Sequence, residues 1–135
     1  MFKPSMTFIN LPVKDLKKSM DFFDKLGFTF NMQFTDENAA SMIINDNTFA
    51  MLITESHFNN FTNKEIIDAN KQVEFLLSFA LSNREEVDMF VEKALEAGGR
   101  RSQKPKDYGF MYQASFLDLD GHIWEAFYMN QEANQ

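Results

Sequence analysis

The sequence has no cysteine, few glycines and prolines, and no long apolar run in its 135 residues. Without cysteine, disulfides, Cys-based zinc sites and thiol nucleophiles are excluded. A membrane-spanning helix needs about 20 consecutive apolar residues, and no segment approaches that length. The first residues also lack the apolar stretch of a secretory signal. We therefore expect a soluble, cytoplasmic protein with no membrane partner.

Positive charge is also scarce, since 13 Lys and Arg stand against 20 Asp and Glu, for a net charge of −7. The basic residues form nothing longer than pairs such as Lys17-Lys18 and Arg100-Arg101. A nucleic-acid surface needs a basic stripe that neutralises phosphates, so we expect no nucleic-acid partner. What is abundant is Phe, with sixteen residues, and Met, with nine. Such side chains suit a deformable cavity, although filling a plain core is their commoner use.

Two segments have the apolar spacing of amphipathic helices. The first spans 15–26, with Asp15 as its N-cap and Gly27 as its C-terminal stop. The second spans about 83–97, where Ser82 and Glu85 have the spacing of a capping box. Both predicted helices end at glycine, which is typical of helix C-termini.

Elsewhere the apolar period is two, which is typical of half-buried strands. Short turn sequences at Asp46-Asn47 and 118–121 predict two hairpins. The predicted strands are 6–11, 28–34, 39–45, 48–54, 73–81, 100–104, 110–118 and 122–129. Their order with the helices is βαβββ, repeated once. The sequence therefore predicts a single α+β domain of two modules, about 5–54 and 73–129, whose mixed or antiparallel sheets form a cleft within one chain or across a dimer.

The linker between these modules, 55–72, is polar and long for so small a domain. Loops of this length often act as lids or binding loops. Within it, Thr62-x-x-Glu65 precedes Ile66-Ile67, and this pattern predicts one short helix.

Three motifs accompany the duplicated order: Leu11-Pro12-Val13-Lys14-Asp15-Leu16, Leu26-Gly27-Phe28 and Asp118-Leu119-Asp120-Gly121-His122-Ile123-Trp124-Glu125. Together they resemble the vicinal-oxygen-chelate superfamily of glyoxalases, bleomycin resistance proteins and extradiol dioxygenases. The loop from Ser56-His57 to Asp68 and the run Asp107-Tyr108-Gly109-Phe110-Met111-Tyr112 resemble a bacterial subgroup of predicted lactoylglutathione lyases. The resemblance implies the glyoxalase-like fold. Because sheets of this fold commonly close against a second copy, it also implies a homodimer.

The resemblance also implies where a metal would bind. In metal-using members, two strands of each module supply one His, Glu or Gln each. Carried over by motif spacing, these positions fall on Phe8, Leu52, a residue near Leu76, and Glu125. One carboxylate does not hold a catalytic divalent ion, so we expect no metal and no other cofactor. The remaining site is expected to be an apolar cleft lined by the first three residues around Glu125.

Two candidates for chemistry carry ionisable side chains. Glu125 shares a strand face with Ile123 and Phe127, where a partly desolvated carboxylate could act as a catalytic base or accept a ligand's hydrogen bond. Its alternative role is a structural hydrogen bond to a Tyr or Arg. His57, in the linker, could protonate or bind a substrate, although an exposed loop histidine more often has no chemical role. We expect His122, beside the turn, to cap it or lie at the surface.

The other candidates are aromatic. Tyr108 and Tyr112 precede and enter the penultimate strand, and their hydroxyls could bind a ligand in an apolar pocket. Their alternative is ordinary half-buried packing. Trp124 alternates with Glu125 and is expected to pack against the helices or a partner subunit.

Three functions follow. The main hypothesis is a metal-independent protein that binds a small organic molecule in an apolar cleft around Glu125. The first alternative is a lyase, isomerase or transferase of the glyoxalase I type, or another dioxygenase-superfamily enzyme, acting on a thiol conjugate or related small molecule. The second alternative is a dimeric protein with a vestigial pocket.

Overall fold

The computed structural model describes residues 1–130, which divide into two compact units with their boundary between Ile67 and Asp68. The elements of the first unit are β1 (Thr7–Val13), α1 (Leu16–Lys25), β2 (Thr29–Asn31), a short 3-10 helix (Met32–Phe34), β3 (Ala39–Asn45), β4 (Thr48–Thr54) and α2 (Glu55–Phe58). Those of the second unit are β5 (Leu77–Ala80), α3 (Arg84–Glu96), β6 (Arg100–Arg101), β7 (Lys106–Asp107), β8 (Met111–Leu117) and β9 (Ile123–Met129).

Each unit is built around one mixed sheet. In the first the strand order is β1-β4-β3-β2, with β1 parallel to β4 and the other pairs antiparallel. In the second the order is β5-β9-β8-β6, with β5 parallel to β9, and β7 also pairs with β8. These sheets confirm the predicted α+β class and its duplicated order. The closure of the two sheets around one cleft stays a prediction.

The helix ends show which predicted caps form. Asp15 caps α1 by accepting the backbone N–H of Lys18 at 3.1 Å, as predicted. The cap of α3 is Asn83 rather than the predicted Ser82, because Asn83 Oδ1 accepts the Glu86 N–H at 2.8 Å. The Glu86 carboxylate in turn accepts the backbone N–H of Ser82 at 2.8 Å. The predicted capping box is therefore displaced by one residue.

Several predicted strands and the linker helix differ from the structure. The strand predicted at 28–34 stops at Asn31, and the 3-10 helix begins at the next residue. Of the strand predicted at 100–104, only β6 (Arg100–Arg101) forms, and β7 lies beyond the predicted range. The helix predicted after Thr62 is wrong, because the Thr62 hydroxyl accepts the N–H of Lys64 and forms a turn. The short helix of this segment is α2, which begins earlier because Thr54 accepts the N–H of His57.

Each unit has its own apolar core between the sheet and a helix. In the first, Leu11, Phe22, Phe23 and Leu52 are fully buried. In the second, the rings of Phe116 and Trp124 lie parallel with their centroids 6.5 Å apart. The ring of Phe90 on α3 packs edge-on against Phe116 at 5.3 Å. No helix within residues 1–130 has the length and apolar character that crossing a membrane requires.

Candidate ligand-binding site

Strand parity decides which face of the second sheet carries Glu125. Along β9, Trp124 and Ala126 are fully buried on the side of α3, whereas Ile123, Glu125 and Phe127 are half-buried on the opposite side. We call this opposite side the open face of the second unit. Because successive strand residues point to opposite faces, the neighbours of Glu125 on the adjacent strands share this face when they pair with it. The predicted packing role of Trp124 is confirmed.

Glu125 has a serine directly beside it on each adjacent strand. It pairs with Ser78 on the parallel strand β5 and with Ser115 on the antiparallel strand β8. The Ser78 hydroxyl donates a hydrogen bond to Glu125 Oε1 at 2.8 Å. Ser78, Glu125 and Ser115 thus form a polar strip across three strands.

Apolar side chains border this polar strip on both sides along the strands. Leu117 pairs with Ile123 on one side, and Phe127 and the Met111–Met129 pair lie on the other. Gln113, which pairs with Phe127, is the other polar residue that β8 contributes here. The open face therefore surrounds one carboxylate with mainly apolar surface.

Basic side chains reach this face at its outer edge. Lys106 on β7 pairs with Gln113, and Arg100 on β6 pairs with Leu117. The Arg100 guanidinium donates a hydrogen bond to the Asn70 side chain. Both strands lie two strand spacings from β9, which is about 10 Å. Glu125 is consequently the nearest ionisable group to the middle of the face.

In the first unit, the open side of the sheet carries Phe8 but not Leu52. Phe8 pairs with Phe49 in register, and the two rings stack with centroids 5.2 Å apart. Leu52 pairs with Leu11 and is fully buried with it in the core. Its neighbour Met51, half-buried, lies on the side of Phe8. The prediction that Leu52 lines the same surface as Phe8 does not hold, because it was placed one residue out of register.

Leu76 was predicted to lie beside Glu125, yet the residue that pairs with Glu125 is Ser78. Leu76 precedes β5 and is 49% exposed. The polar residue Ser78 inside an apolar strand is the signal that could have identified it. The register between two strands 47 residues apart is not readable from local pattern.

The two candidate tyrosines have different environments. Tyr108 lies in the β7–β8 turn, 49% exposed, with its ring centroid 6.5 Å from that of Phe110. Tyr112 is buried on the helix side of β8, and its hydroxyl donates a hydrogen bond to Asp88 on α3. The bond to the Asp88 carboxylate, together with burial, raises the pKa of Tyr112. Tyr112 therefore faces away from Glu125, and its hydroxyl has a structural role in joining β8 to α3.

An ion pair fixes the start of α3 to the turn that carries Tyr108. Arg84 donates to Asp107 Oδ2 at 2.6 Å, and its guanidinium carbon lies 4.1 Å from the centre of the Tyr112 ring. The second oxygen of Asp107 accepts the Gly109 N–H at 2.8 Å. The Gly109 N–H and the Arg84 guanidinium hold the pKa of Asp107 below its usual range.

The two histidines lie in different units. His57, in α2 of the first unit, is half-buried, and its ring packs edge-on against Phe61 at 5.3 Å. The backbone N–H of His122 donates to Asp118 Oδ1 at 3.0 Å, so His122 belongs to the turn, as predicted.

Asp118 is a buried acid that the sequence pattern did not single out. Its Oδ1 accepts the N–H groups of Asp120 and His122, and its Oδ2 accepts the indole N–H of Trp124 at 2.9 Å. Burial raises the pKa of the Asp118 carboxyl, while these donors and His122 act in the opposite direction. Its bonds organise the turn that precedes β9 and so help to position the strand that carries Glu125.

The residues present do not suit the divalent metal that the resemblance would imply. Within residues 1–130, no three His, Cys, Asp or Glu side chains lie close enough together to hold an ion. The nearest side chains to Glu125 on the adjacent strands are the two serine hydroxyls. Divalent metals in proteins bind imidazole and carboxylate groups, so one carboxylate with two hydroxyls is not a suitable set of ligands for such an ion.

Comparison with known proteins agrees with the fold. A family model described as Glyoxalase/Bleomycin resistance protein/Dioxygenase superfamily matches residues 5–126. The chain belongs to this superfamily. Among solved structures, the hypothetical protein SA1046 from S. aureus is 35% identical, with a TM-score of 0.79 and 95% of each chain covered. No curated protein matches the sequence.

More distant superfamily structures share the fold alone. A glyoxalase-related enzyme from Fulvimarina pelagi is 18% identical, with a TM-score of 0.78 over 91% of this chain and 86% of its own. The fosfomycin resistance protein FosX from Listeria monocytogenes is also 18% identical, with a TM-score of 0.70 over 99% of this chain and all of its own.

Proposed function

We propose that this superfamily member binds a small organic molecule on the open face of its second unit, around Glu125. The observation that carries the proposal is the position of one carboxylate, held by Ser78, in the middle of a mainly apolar sheet face. Ligand sites are typically apolar surfaces with a few polar groups that fix the ligand's orientation. Tyr108, exposed in the turn before β8, stays a prediction as a further ligand contact.

The second candidate function, suggested by the family, is chemistry of the glyoxalase I type. The side chains around Glu125 argue against a metal-dependent form of it. The two serines that flank Glu125 on the adjacent strands provide none of the imidazole or additional carboxylate groups that such a metal needs. The subgroup resemblance to lactoylglutathione lyases is therefore not part of our proposal. His57, which lies in the first unit, stays a prediction as a ligand-binding residue.

A thermal-shift screen with aromatic compounds and thiol conjugates tests the binding proposal. We expect some of these compounds to raise the melting temperature of the wild-type protein, since a ligand that binds the folded state stabilises it. Their effect should fall in Phe127→Ala, which removes apolar surface beside the carboxylate. As a matched control, Phe34→Ala removes an exposed Phe of the first unit and should leave the shifts unchanged.

Two results would contradict the proposal. One is glyoxalase turnover without any ligand-induced shift. The other is a stoichiometric, tightly bound divalent metal in the purified protein that is lost in Glu125→Ala.

We also propose that the protein is a homodimer. A short apolar segment before β5 is exposed in the single chain. Its residues Val73, Phe75 and Leu76 are each about half exposed or more. Exposed apolar clusters of this kind mark interaction surfaces. Light scattering at micromolar concentration should give twice the mass of the chain, and a monomer mass would refute the dimer.

A further inference from the structure

The ligand site has a chemical preference that follows from the hydrogen bonds of Glu125. Its Oε1 is occupied by the Ser78 hydroxyl, and within residues 1–130 its Oε2 has no hydrogen-bond partner. The hydroxyl of Ser115, the cross-strand neighbour of Glu125, also has no hydrogen-bond partner among residues 1–130. Cross-strand neighbours have Cβ atoms about 5 Å apart, so a single ligand group can contact both side chains.

A ligand that covers the open face removes Glu125 from water, and this costs free energy unless the carboxylate is paired. The nearest basic side chain, Lys106 or Arg100, lies on an edge strand about 10 Å away. Within residues 1–130 neither forms an ion pair with Glu125, and the Arg100 guanidinium is bonded to Asn70 instead. The ligand itself must then supply the donor.

We infer, resting on the proposed function, that Glu125 Oε2 and Ser115 Oγ bind a cationic nitrogen of the ligand, whose apolar or aromatic body lies on the flanking Ile123 and Phe127. A protonated amine supplies up to three N–H donors for these two acceptors. Ser78 is a positioning residue, because its hydroxyl fixes the carboxylate and directs Oε2 to the ligand. An anionic ligand would meet the charge of Glu125 and is disfavoured.

Three probes of similar shape test this preference by calorimetry at neutral pH: naphthylmethylamine, naphthylmethanol and naphthoate. They share the aromatic body and differ in carrying a cation, a neutral hydroxyl or an anion. In the wild-type protein we expect the amine to bind about tenfold more tightly than the alcohol, as a charge-assisted hydrogen bond allows. Naphthoate should bind more weakly than the alcohol.

Glu125→Gln should reduce the preference for the amine to about twofold or less, because the amide has no charge. The variant keeps the side-chain shape and an oxygen for the Ser78 hydroxyl, and its melting temperature checks the fold. Glu96→Gln is the matched control, since it changes net charge equally on α3, which covers the opposite face. This control should retain the tenfold preference.

Each other outcome has a distinct meaning. If the alcohol binds as well as the amine, or naphthoate binds best, the inference is overturned while the proposed binding function stands. If the preference is lost equally in Glu96→Gln, it reflects overall charge and the inference is overturned. If none of the probes binds the wild-type protein, the proposed function fails and the inference falls with it.

Discussion

Replacing Gly121 by alanine tests how the linker docks onto the turn before β9. Gly121 has a φ of +95°, and a Cβ at this position would lie 2.5 Å from Asn70 Oδ1 and 2.9 Å from the Asn70 backbone nitrogen. Asn70 itself is fixed, because its N–H donates to the Asp68 side chain. Backbone atoms cannot move aside as a flexible side chain can, so the alanine methyl forces the two segments apart.

The expected cost has two parts. A non-glycine residue at such a positive φ costs about 1–3 kcal/mol, and overpacking against a fixed neighbour adds about 1–3 kcal/mol. We therefore expect Gly121→Ala to lower the free energy of unfolding by about 4 kcal/mol. With a urea m-value of about 2 kcal/mol/M, the midpoint falls by about 2 M.

Gly109 provides the matched control within the same unit. Its φ is +85°, but a methyl group added at that position would have nothing within 4 Å. Gly109→Ala should then cost about 2 kcal/mol, from backbone conformation alone. The fluorescence of Trp124, the one tryptophan of the chain, reports unfolding of this unit. Equal midpoints for the two variants would refute the close contact between Gly121 and Asn70.

Two further predictions concern a helix cap and a buried acid. Asn83→Ala should lower the free energy of unfolding, measured by urea titration, by about 1 kcal/mol. Ser82→Ala should leave it nearly unchanged, because Ser82 contributes only its backbone N–H. Equal effects of the two substitutions would contradict the assignment of Asn83 as the cap. Asp118→Asn leaves the indole N–H of Trp124 without an acceptor, at a cost of about 1–3 kcal/mol. Burial raises the pKa of Asp118, so the folded wild-type protein binds a proton at this carboxyl more tightly than the unfolded chain does. The stability that this group contributes therefore falls as the pH rises from about 4 through the folded pKa. The amide of Asp118→Asn does not titrate, so the difference in unfolding free energy between wild type and variant should become smaller from about pH 4 to pH 7 in urea titrations. A difference that grows over this range would contradict the raised pKa.

Local sequence patterns predict the elements that local forces create. The helix at 15–26 was predicted to within one residue at each end, because an N-cap at Asp15 and a glycine at Gly27 act on adjacent backbone groups. The hairpin strands at 39–45 and 48–54 match as predicted, since alternation and the turn between them agree. The cap of α3 was misplaced by one residue because Ser82 and Asn83 are both good capping residues.

The candidate site was less predictable because it depends on long-range register. Alternation along β9 correctly placed Glu125 and Trp124 on opposite faces. Which residue lies beside Glu125 depends on the pairing of β5 with β9, and the predicted Leu76 is two residues from the observed partner Ser78. A shift of one residue has a larger effect, because it moves a side chain to the other face. The same sensitivity explains why Leu52 was expected on the open surface and is found in the core.

The serine neighbours of Glu125 affect which ligand groups its carboxylate can attract. In metal-using members of the superfamily, a carboxylate at this position is neutralised by a divalent cation, which then attracts oxygen atoms of the substrate. Here Ser78 and Ser115 take the adjacent positions, and hydroxyls do not neutralise the charge. The sign of the local field is then reversed, so the same fold position that binds oxygen ligands through a metal should favour a cationic nitrogen.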